Sequence, residues 1–353
     1  MFPVADDFLA ALREREASHD DPGARQRFGS VYSRLIKLTK HADPVDRDRA
    51  LVCLREGFSA EQSAFEFGCL ANTCGQIVEF GGDPAIALDP ILDRVTQQLA
   101  RGREFVGMMQ QHLHIEHPNQ VAEQDWDSLG RAHPDHAWVI GEWFALRFMG
   151  VAAMTMLCRN VDARKSARHR IELVQNAEAA RSDNPYAFYL AETLGLVDDE
   201  RLLVLDTQRE LGFRVHLTAI RNNFHLFTLL QDALLSHPSA RDWTGPCVKP
   251  TIVAVAKGER MVSDVSPNEW VAAGAWHNGQ VTDTALWDIS SAQTPTTWIW
   301  GEMKPTEIPE QNGERVIVLR PLETARSWDI AFFTPLHPAL RSSVVVDEVR
   351  KIV

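Results

Sequence analysis

Five of the chain's 13 histidines fall between residues 112 and 136, in two clusters. His112, His114 and His117 form the first cluster, and His133 and His136 form the second. Imidazole nitrogens transfer protons near neutral pH and are common ligands of zinc and iron. This segment is therefore the densest candidate for acid–base or metal chemistry in the sequence.

The spacing of these histidines leaves three interpretations open: ordinary hydrogen bonds, a metal site or a pH-sensitive contact. His114 and His117 are three residues apart, so on a helix they share a face and could bind one ion. Glu116 could act as a ligand or a base, and His133 or His136 could supply a third ligand from the next helix. The pattern is not HExxH, because the glutamate directly precedes the last histidine. Histidines that only form ordinary hydrogen bonds are the favoured interpretation, and a zinc or iron site is the alternative.

A tryptophan-rich segment near the C-terminus is the second candidate. Trp298 and Trp300 are two residues apart, which places them on one face of a strand. Glu302 and Lys304 have the ExK spacing that some metal-dependent nucleases use. The glycine at position 301 indicates that the strand has already ended, and the pattern is short. The four residues are therefore predicted to form a binding surface, and a nuclease centre is the less favoured reading.

A third candidate precedes a predicted helix at Phe224. Asn222 or Asn223 is a typical N-cap, whose amide oxygen accepts from a first-turn N–H group. A helix N-terminus with Arg221 beside it could also hold an anion. The cap is the favoured interpretation.

The commonest catalytic signatures are absent from the sequence. It contains no GxGxxG after a strand, no GxxxxGK[ST] phosphate loop and no GxSxG nucleophile elbow. These absences exclude the commonest nucleotide-binding and hydrolase motifs, although they do not exclude an enzyme.

Charge and composition narrow the partner classes. The formal net charge is −12 and the sequence pI is about 5.5, which argues against nucleic-acid binding and would favour a basic protein partner.

The five cysteines are widely spaced without a CxxC pair, as expected in a reducing compartment. Glu142 and Arg147 interrupt the apolar stretch from residue 137 to residue 158, which favours a core helix over a membrane span. With no signal peptide recognised, a cytoplasmic protein is expected.

The hydrophobic periodicity changes near residue 200. Residues 1–198 show helical spacing and predict a domain of seven or eight helices. Within it, Ser59 and Gln62 predict a capping box, and Ile91, Leu92, Val95 and Leu99 predict the apolar stripe of a helix. Residues 161–181 are strongly charged and predict one largely solvated helix. Residues 199–353 predict a mixed, mainly β, tryptophan-rich domain, so the fold class is α+β. A hairpin is expected from residues 202–205 and 213–220. Further strands are expected at residues 251–256, 271–276, 297–300, 315–319 and 344–349.

Two functions from different classes follow from these observations. The leading hypothesis is a non-catalytic binding protein, an accessory or inhibitor-like partner of another protein that needs no cofactor. The alternative is a metal-dependent hydrolase or oxygenase that uses zinc or iron at the histidines between positions 112 and 136. Metal content of the purified protein discriminates between them.

Overall fold

The computed structural model describes residues 2–18, 20–114, 123–206, 209–240, 248–264, 281–282, 301, 303–308, 310–311, 314–319 and 329–351. The predicted α+β class is confirmed, since helices fill the first part of the chain and a mixed sheet lies in the second. The chain divides into two compact units, Met1–Leu194 and Gly195–Val353. The division into domains at residues 198 and 199 stays a prediction.

Unit 1 (Met1–Leu194) is helical. Its described residues form α1 (Phe2–Ala17), α2 (Pro22–His41), α3 (Pro44–Arg55), α4 (Ala64–Glu79), α5 (Leu88–Leu113), α6 (Glu123–Ala132), α7 (Ala137–Arg159), α8 (Val161–Arg168), α9 (Ile171–Ala179) and α10 (Pro185–Leu194). These ten helices exceed the seven or eight expected, partly because the charged stretch after residue 160 forms two helices instead of one.

Side-chain caps fix where several helices begin. Asp21 and Asp43 accept hydrogen bonds from first-turn N–H groups of α2 and α3, each of which has a proline at its start. Ser63 caps α4 in the same way. A capping box was expected at Ser59 and Gln62, and Gln62 Oε1 does accept from the Ser59 N–H at 2.9 Å. These two residues nevertheless lie before the helix, in the turn that leads to its cap.

The segment from residue 161 to residue 181 is less solvated than its charges suggest. Arg164 of α8 is only 2% exposed. Its guanidinium donates to the carbonyl oxygens of Leu157 and Cys158, at 2.8 and 3.3 Å, near the end of α7. C-terminal carbonyls of a helix are unpaired within that helix, so a buried arginine can satisfy them. The expectation of a largely solvated helix was wrong at this position.

The core of unit 1 is built around α7, which packs against α4 and α5. The apolar stripe predicted for α5 is buried, as Ile91, Leu92, Val95 and Leu99 show. By length and composition alone, the stretch Pro134–Arg159 could cross a membrane, but 61% of its most apolar window is buried inside the structure. Such burial is typical of a core helix.

Unit 2 (Gly195–Val353) contains one mixed sheet and two described α-helices. The strands are β1 (Glu200–Asp206), β2 (Leu211–Thr218), β3 (Val281–Thr282), β4 (Glu310–Gln311), β5 (Glu314–Leu319) and β6 (Ser343–Lys351), and the helices are α11 (Asn223–Ser236) and α12 (Pro250–Ala256). The main path through the sheet runs β3-β5-β1-β2-β6, with β4 also paired to β5. Among the described strands, only β1 and β5 pair in parallel.

The predicted hairpin and two later strands are confirmed. β1 and β2 pair antiparallel, with Leu202 opposite Val215 and Val204 opposite Phe213. These alternating residues are buried in one apolar cluster with Leu226 of α11. β5 and β6 cover the strands expected at residues 315–319 and 344–349. The strands expected at residues 271–276 and 297–300 lie outside the described residues.

The strand expected at residues 251–256 was wrong, because these residues belong to α12. Pro250 occupies its first turn, where a fixed φ and a missing N–H group suit a helix. A short apolar run has no decisive periodicity, so its β-branched residues misled the prediction. Ile252, Val255 and Ala256 are buried in the same cluster as the sheet.

The pKa of one histidine in the described part of unit 2, His225, is strongly lowered. His225 is fully buried in α11, and its Nε2 donates to the carbonyl oxygen of Ala256 at 2.8 Å. Its Nδ1 accepts from the backbone N–H of Arg221 at 3.3 Å. Burial is the main cause that lowers the pKa of His225 to about 4. Because an N–H group already points at Nδ1, protonation there would also break this hydrogen bond.

Acid should therefore destabilise unit 2 through His225. In the unfolded chain this histidine takes up a proton near pH 6.5, whereas the folded chain resists protonation down to about pH 4. Between these values the unfolded state binds more protons. The free energy of unfolding therefore decreases as the pH is lowered, by roughly 3 kcal/mol in total. Chemical denaturation of His225→Gln between pH 7.5 and 4.5 should show a flatter dependence than wild type. The exposed His41→Gln variant should keep the wild-type slope, and equal slopes in all three proteins would contradict the assignment.

Candidate functional site

The structure brings together two of the predicted histidines. His112 lies in the last turn of α5, and His133 directly follows α6. Their rings meet edge to face with centroids 5.5 Å apart. The His133 Nε2 atom is buried and has no hydrogen-bond partner among the described residues. The two clusters therefore contact each other at this one pair.

The other histidines of the clusters are placed differently. His136 precedes α7, and its Nδ1 contacts a carboxylate oxygen of Glu104 on α5. His114 ends α5 in the left-handed conformation, with φ 54°. His117 lies outside the described residues. Within the part of the chain that the structure describes, no group of three or more His, Cys, Asp or Glu side chains could hold a metal ion. The five-histidine metal site thus stays a prediction.

The tryptophan-rich segment is described only at its end. Trp298, Trp300 and Glu302 lie outside the described residues, so the predicted binding surface stays a prediction. Lys304 precedes a short 3-10 turn, and its backbone N–H donates to Glu307 Oε1 at 3.3 Å. This position in a turn agrees with the expectation that the strand has ended before the lysine.

The predicted cap of the helix at Phe224 is confirmed. Asn222 Oδ1 accepts from the His225 N–H at 2.9 Å, and Asn222 Nδ2 donates to the carbonyl oxygen of Phe332 at 2.8 Å. The Arg221 guanidinium donates to the carbonyl oxygen of Ala331 at 3.3 Å. Asn222 therefore caps the helix, and Asn222 and Arg221 also bind backbone carbonyl oxygens at residues 331 and 332.

A cavity of about 440 Å³ in unit 1 is the site that sequence reasoning missed. It opens between the start of α4, the first half of α7 and the end of α1. Its lining is mostly apolar, and the lining residues are Glu16, Gln62, Ser63, Ala64, Phe65, Arg94, Trp138, Gly141, Glu142, Phe144, Ala145, Arg147 and Phe148. Its volume falls within the range of small-molecule sites.

Two aromatic side chains are left unusually exposed beside this cavity. Trp138 is 48% exposed and Phe144 is 36% exposed, although α7 is the core helix of the unit. The indole N–H of Trp138 donates to the carbonyl oxygen of Asp135 at 3.1 Å, which fixes one edge of the ring. Exposed aromatic surface around a concavity is typical of a binding site.

A buried ion pair forms part of the cavity wall. Arg94 Nη2 of α5 donates to Glu142 Oε1 of α7 at 2.7 Å, and both side chains are more than nine-tenths buried. The Arg94 guanidinium also donates to the carbonyl oxygens of Ala60 and Gln62, each at 3.2 Å. Arg101 Nη1 lies 3.4 Å from the same Glu142 oxygen. Two guanidinium groups therefore compensate one buried carboxylate.

Three rings that line the cavity each carry an arginine. The guanidinium carbon of Arg101 lies 4.9 Å from the centroid of Trp138. The equivalent distances are 4.2 Å from Arg15 to Phe65 and 4.5 Å from Arg147 to its neighbour Phe148. Arginine stacked on an aromatic face is held by cation–π attraction and by dispersion. The stacked guanidinium groups make the surroundings of this apolar cavity cationic.

Two charged residues of this site are conspicuous in the sequence, but the sequence alone does not show that they line a cavity. Glu142 and Arg147 stand out as charges inside an otherwise apolar stretch. They were interpreted only as an argument against a membrane span. In the structure the first is buried beside an arginine 48 positions away, and the second lies at the cavity.

Comparisons with known proteins found no match: no family model, no curated protein and no solved structure is similar to this chain. The function is therefore argued from the geometry of this cavity.

Breaking the buried pair should destabilise unit 1 strongly. Glu142→Ala leaves the Arg94 charge buried without its carboxylate, which typically costs about 3–5 kcal/mol. The double variant Arg94→Met with Glu142→Met replaces both charges by apolar groups and should recover most of that loss. Urea unfolding of wild type, Arg94→Met, Glu142→Met and the double variant gives the coupling energy. Additive losses would show that the two side chains do not act as a pair.

Proposed function

We propose that this protein is a non-catalytic binding protein, and that the cavity of unit 1 holds an apolar group of its partner. The observation that carries this proposal is the pair of half-exposed rings, Trp138 and Phe144, beside a 440 Å³ apolar cavity. An accessory or inhibitor-like role is the form this function takes if the partner is a protein. We further propose a cytoplasmic location, which composition and cysteine spacing favour.

The polar groups of the cavity support binding more than nucleophilic chemistry. Ser63 Oγ already accepts the N–H of Glu66 as the cap of α4. Glu142 is paired with Arg94, and Arg94 is also occupied by backbone carbonyl oxygens. A nucleophile or general base needs a group that is available to the substrate. These groups instead stabilise the wall against which a ligand would pack.

Filling the cavity should abolish binding of an apolar probe. Gly141 lines the cavity, and a Cβ at this position would meet no heavy atom within 4 Å among the described residues. The variant Gly141→Trp should therefore occupy the cavity without displacing the core. We expect Nile red to bind wild type saturably, with increased fluorescence, and to lose most of this binding in Gly141→Trp.

The matched control is Gly107→Trp in α5, where an added Cβ also meets open space but which does not line this cavity. It should bind the dye as wild type does. Equal loss in both variants, or no saturable binding to wild type, would contradict the proposal. Thermal melting of both variants checks that they are folded.

A metal-dependent hydrolase or oxygenase is the second candidate, and the contact between His112 and His133 is the observation that favours it. Under this alternative, purified protein carries near-stoichiometric zinc or iron. Changing His112 and His133 to alanine should remove that metal, since ligand loss lowers affinity steeply. Elemental analysis of wild type and variant decides the point. Metal-free wild type would eliminate the candidate.

A further inference from the structure

We infer that the ligand of the cavity is a small amphipathic organic anion, with a carboxylate on an aromatic or alkyl body. This inference rests on the proposed binding function and names the chemistry of its ligand. This anionic ligand differs from the basic partner that the net charge of −12 suggests, because arginines outnumber glutamates around the cavity.

The charges nearest the cavity are mainly arginines. Among the residues that line the cavity or stack on its lining rings, four are arginines and two are glutamates. One of the two carboxylates, Glu142, already lies within 4 Å of the guanidinium nitrogens of Arg94 and Arg101. The remaining one is Glu16, which lines the cavity, so the four arginines outnumber the carboxylates there.

Arg147 is the best-placed group to bind an anion. It lines the cavity, its side chain is exposed, and its guanidinium stacks on Phe148. In the described part of the chain, no carboxylate lies within ion-pair distance of it. Stacking holds the guanidinium in place while leaving its N–H groups available, and guanidinium binds carboxylate through two parallel hydrogen bonds.

The same stacking disfavours a cationic ligand. Aromatic rings attract cations at their faces, and a cage of such rings is a common site for ammonium groups. Here Phe65, Trp138 and Phe148 each already carry a guanidinium group. A ligand ammonium would lie beside these charges, whereas a carboxylate would be attracted by them.

Two buried polar atoms of the cavity wall lack a hydrogen-bond partner in the described part of the chain. Arg94 Nε and Glu142 Oε2 are both buried, and neither has a hydrogen-bond partner among the described residues. Buried polar atoms without partners are uncommon and costly, so a ligand or an ordered water is expected beside them. A ligand carboxylate would accept from Arg94 Nε, whereas Glu142 Oε2 needs a donor, which an ordered water supplies.

The size of the cavity suits the body of one small molecule. A volume of about 440 Å³ suits one compact apolar body with its head group. Three probes share such a body and differ only in charge: phenylbutyrate, phenylbutanol and phenylbutylamine. Their affinities for the full chain are measured by displacement of Nile red.

We expect phenylbutyrate to bind more tightly than phenylbutanol, and phenylbutylamine to bind most weakly. Arg147→Gln should weaken phenylbutyrate about threefold, the effect of one partly exposed charge pair, and leave phenylbutanol unchanged. Arg55→Gln, an exposed arginine that does not line the cavity, should change none of the affinities. Gly141→Trp should remove binding of all three probes.

Each other outcome overturns a defined part of the argument. If the amine binds most tightly, the ligand is a cation and the inference is wrong. If all three bind equally and remain sensitive to Gly141→Trp, the cavity binds apolar groups without regard to charge, so the inference fails while the proposed function stands. If no probe binds in a manner that Gly141→Trp removes, the proposed function itself fails. An unchanged affinity of phenylbutyrate for Arg147→Gln would reject this arginine as the recognising group.

Discussion

The close approach of α4 to α7 is the constraint on which the architecture of unit 1 depends. A Cβ added at Gly75 would lie 3.0 Å from the Cα of Ala152, so only a residue without a side chain allows this contact. Two turns earlier, a Cβ at Gly68 would lie 3.3 Å from the side chain of Phe148. Close-packed interiors tolerate added methyl groups poorly. The small residues of α4 thus set where α7 lies, and with it the aromatic wall of the cavity.

The Arg94–Glu142 pair adds a second constraint at the same place. Its members come from α5 and α7, and Arg94 also binds the carbonyl oxygens of Ala60 and Gln62 before α4. Burying two charges costs free energy even when they are paired, so an apolar pair could be as stable. The ion pair instead constrains geometry, because its hydrogen bonds require a defined orientation of the two side chains. It fixes α5, α7 and the turn before α4 relative to one another, and these elements form the cavity wall.

Local patterns predicted many of the described elements, but not the site they build. The stripe Ile91, Leu92, Val95 and Leu99 identified a buried helix face because helical periodicity reports burial directly. The run from residue 251 to residue 256 misled, because a threonine followed by five apolar residues fits a strand or a helix. The cavity could not be predicted, because its contacts join distant positions: Arg15 with Phe65, and Arg101 with Trp138.

Total charge and local charge lead to different conclusions about the ligand. The chain carries −12 in all, which suggested a basic partner. Screening at physiological ionic strength limits exposed charges to a range of about 8 Å, so a ligand inside a cavity responds mainly to the groups that line it. At this cavity the lining groups include Arg94 and Arg147, and Glu142 is already compensated. An acidic protein can therefore present a cationic site, because the sum over the sequence contains no information about which charges lie together.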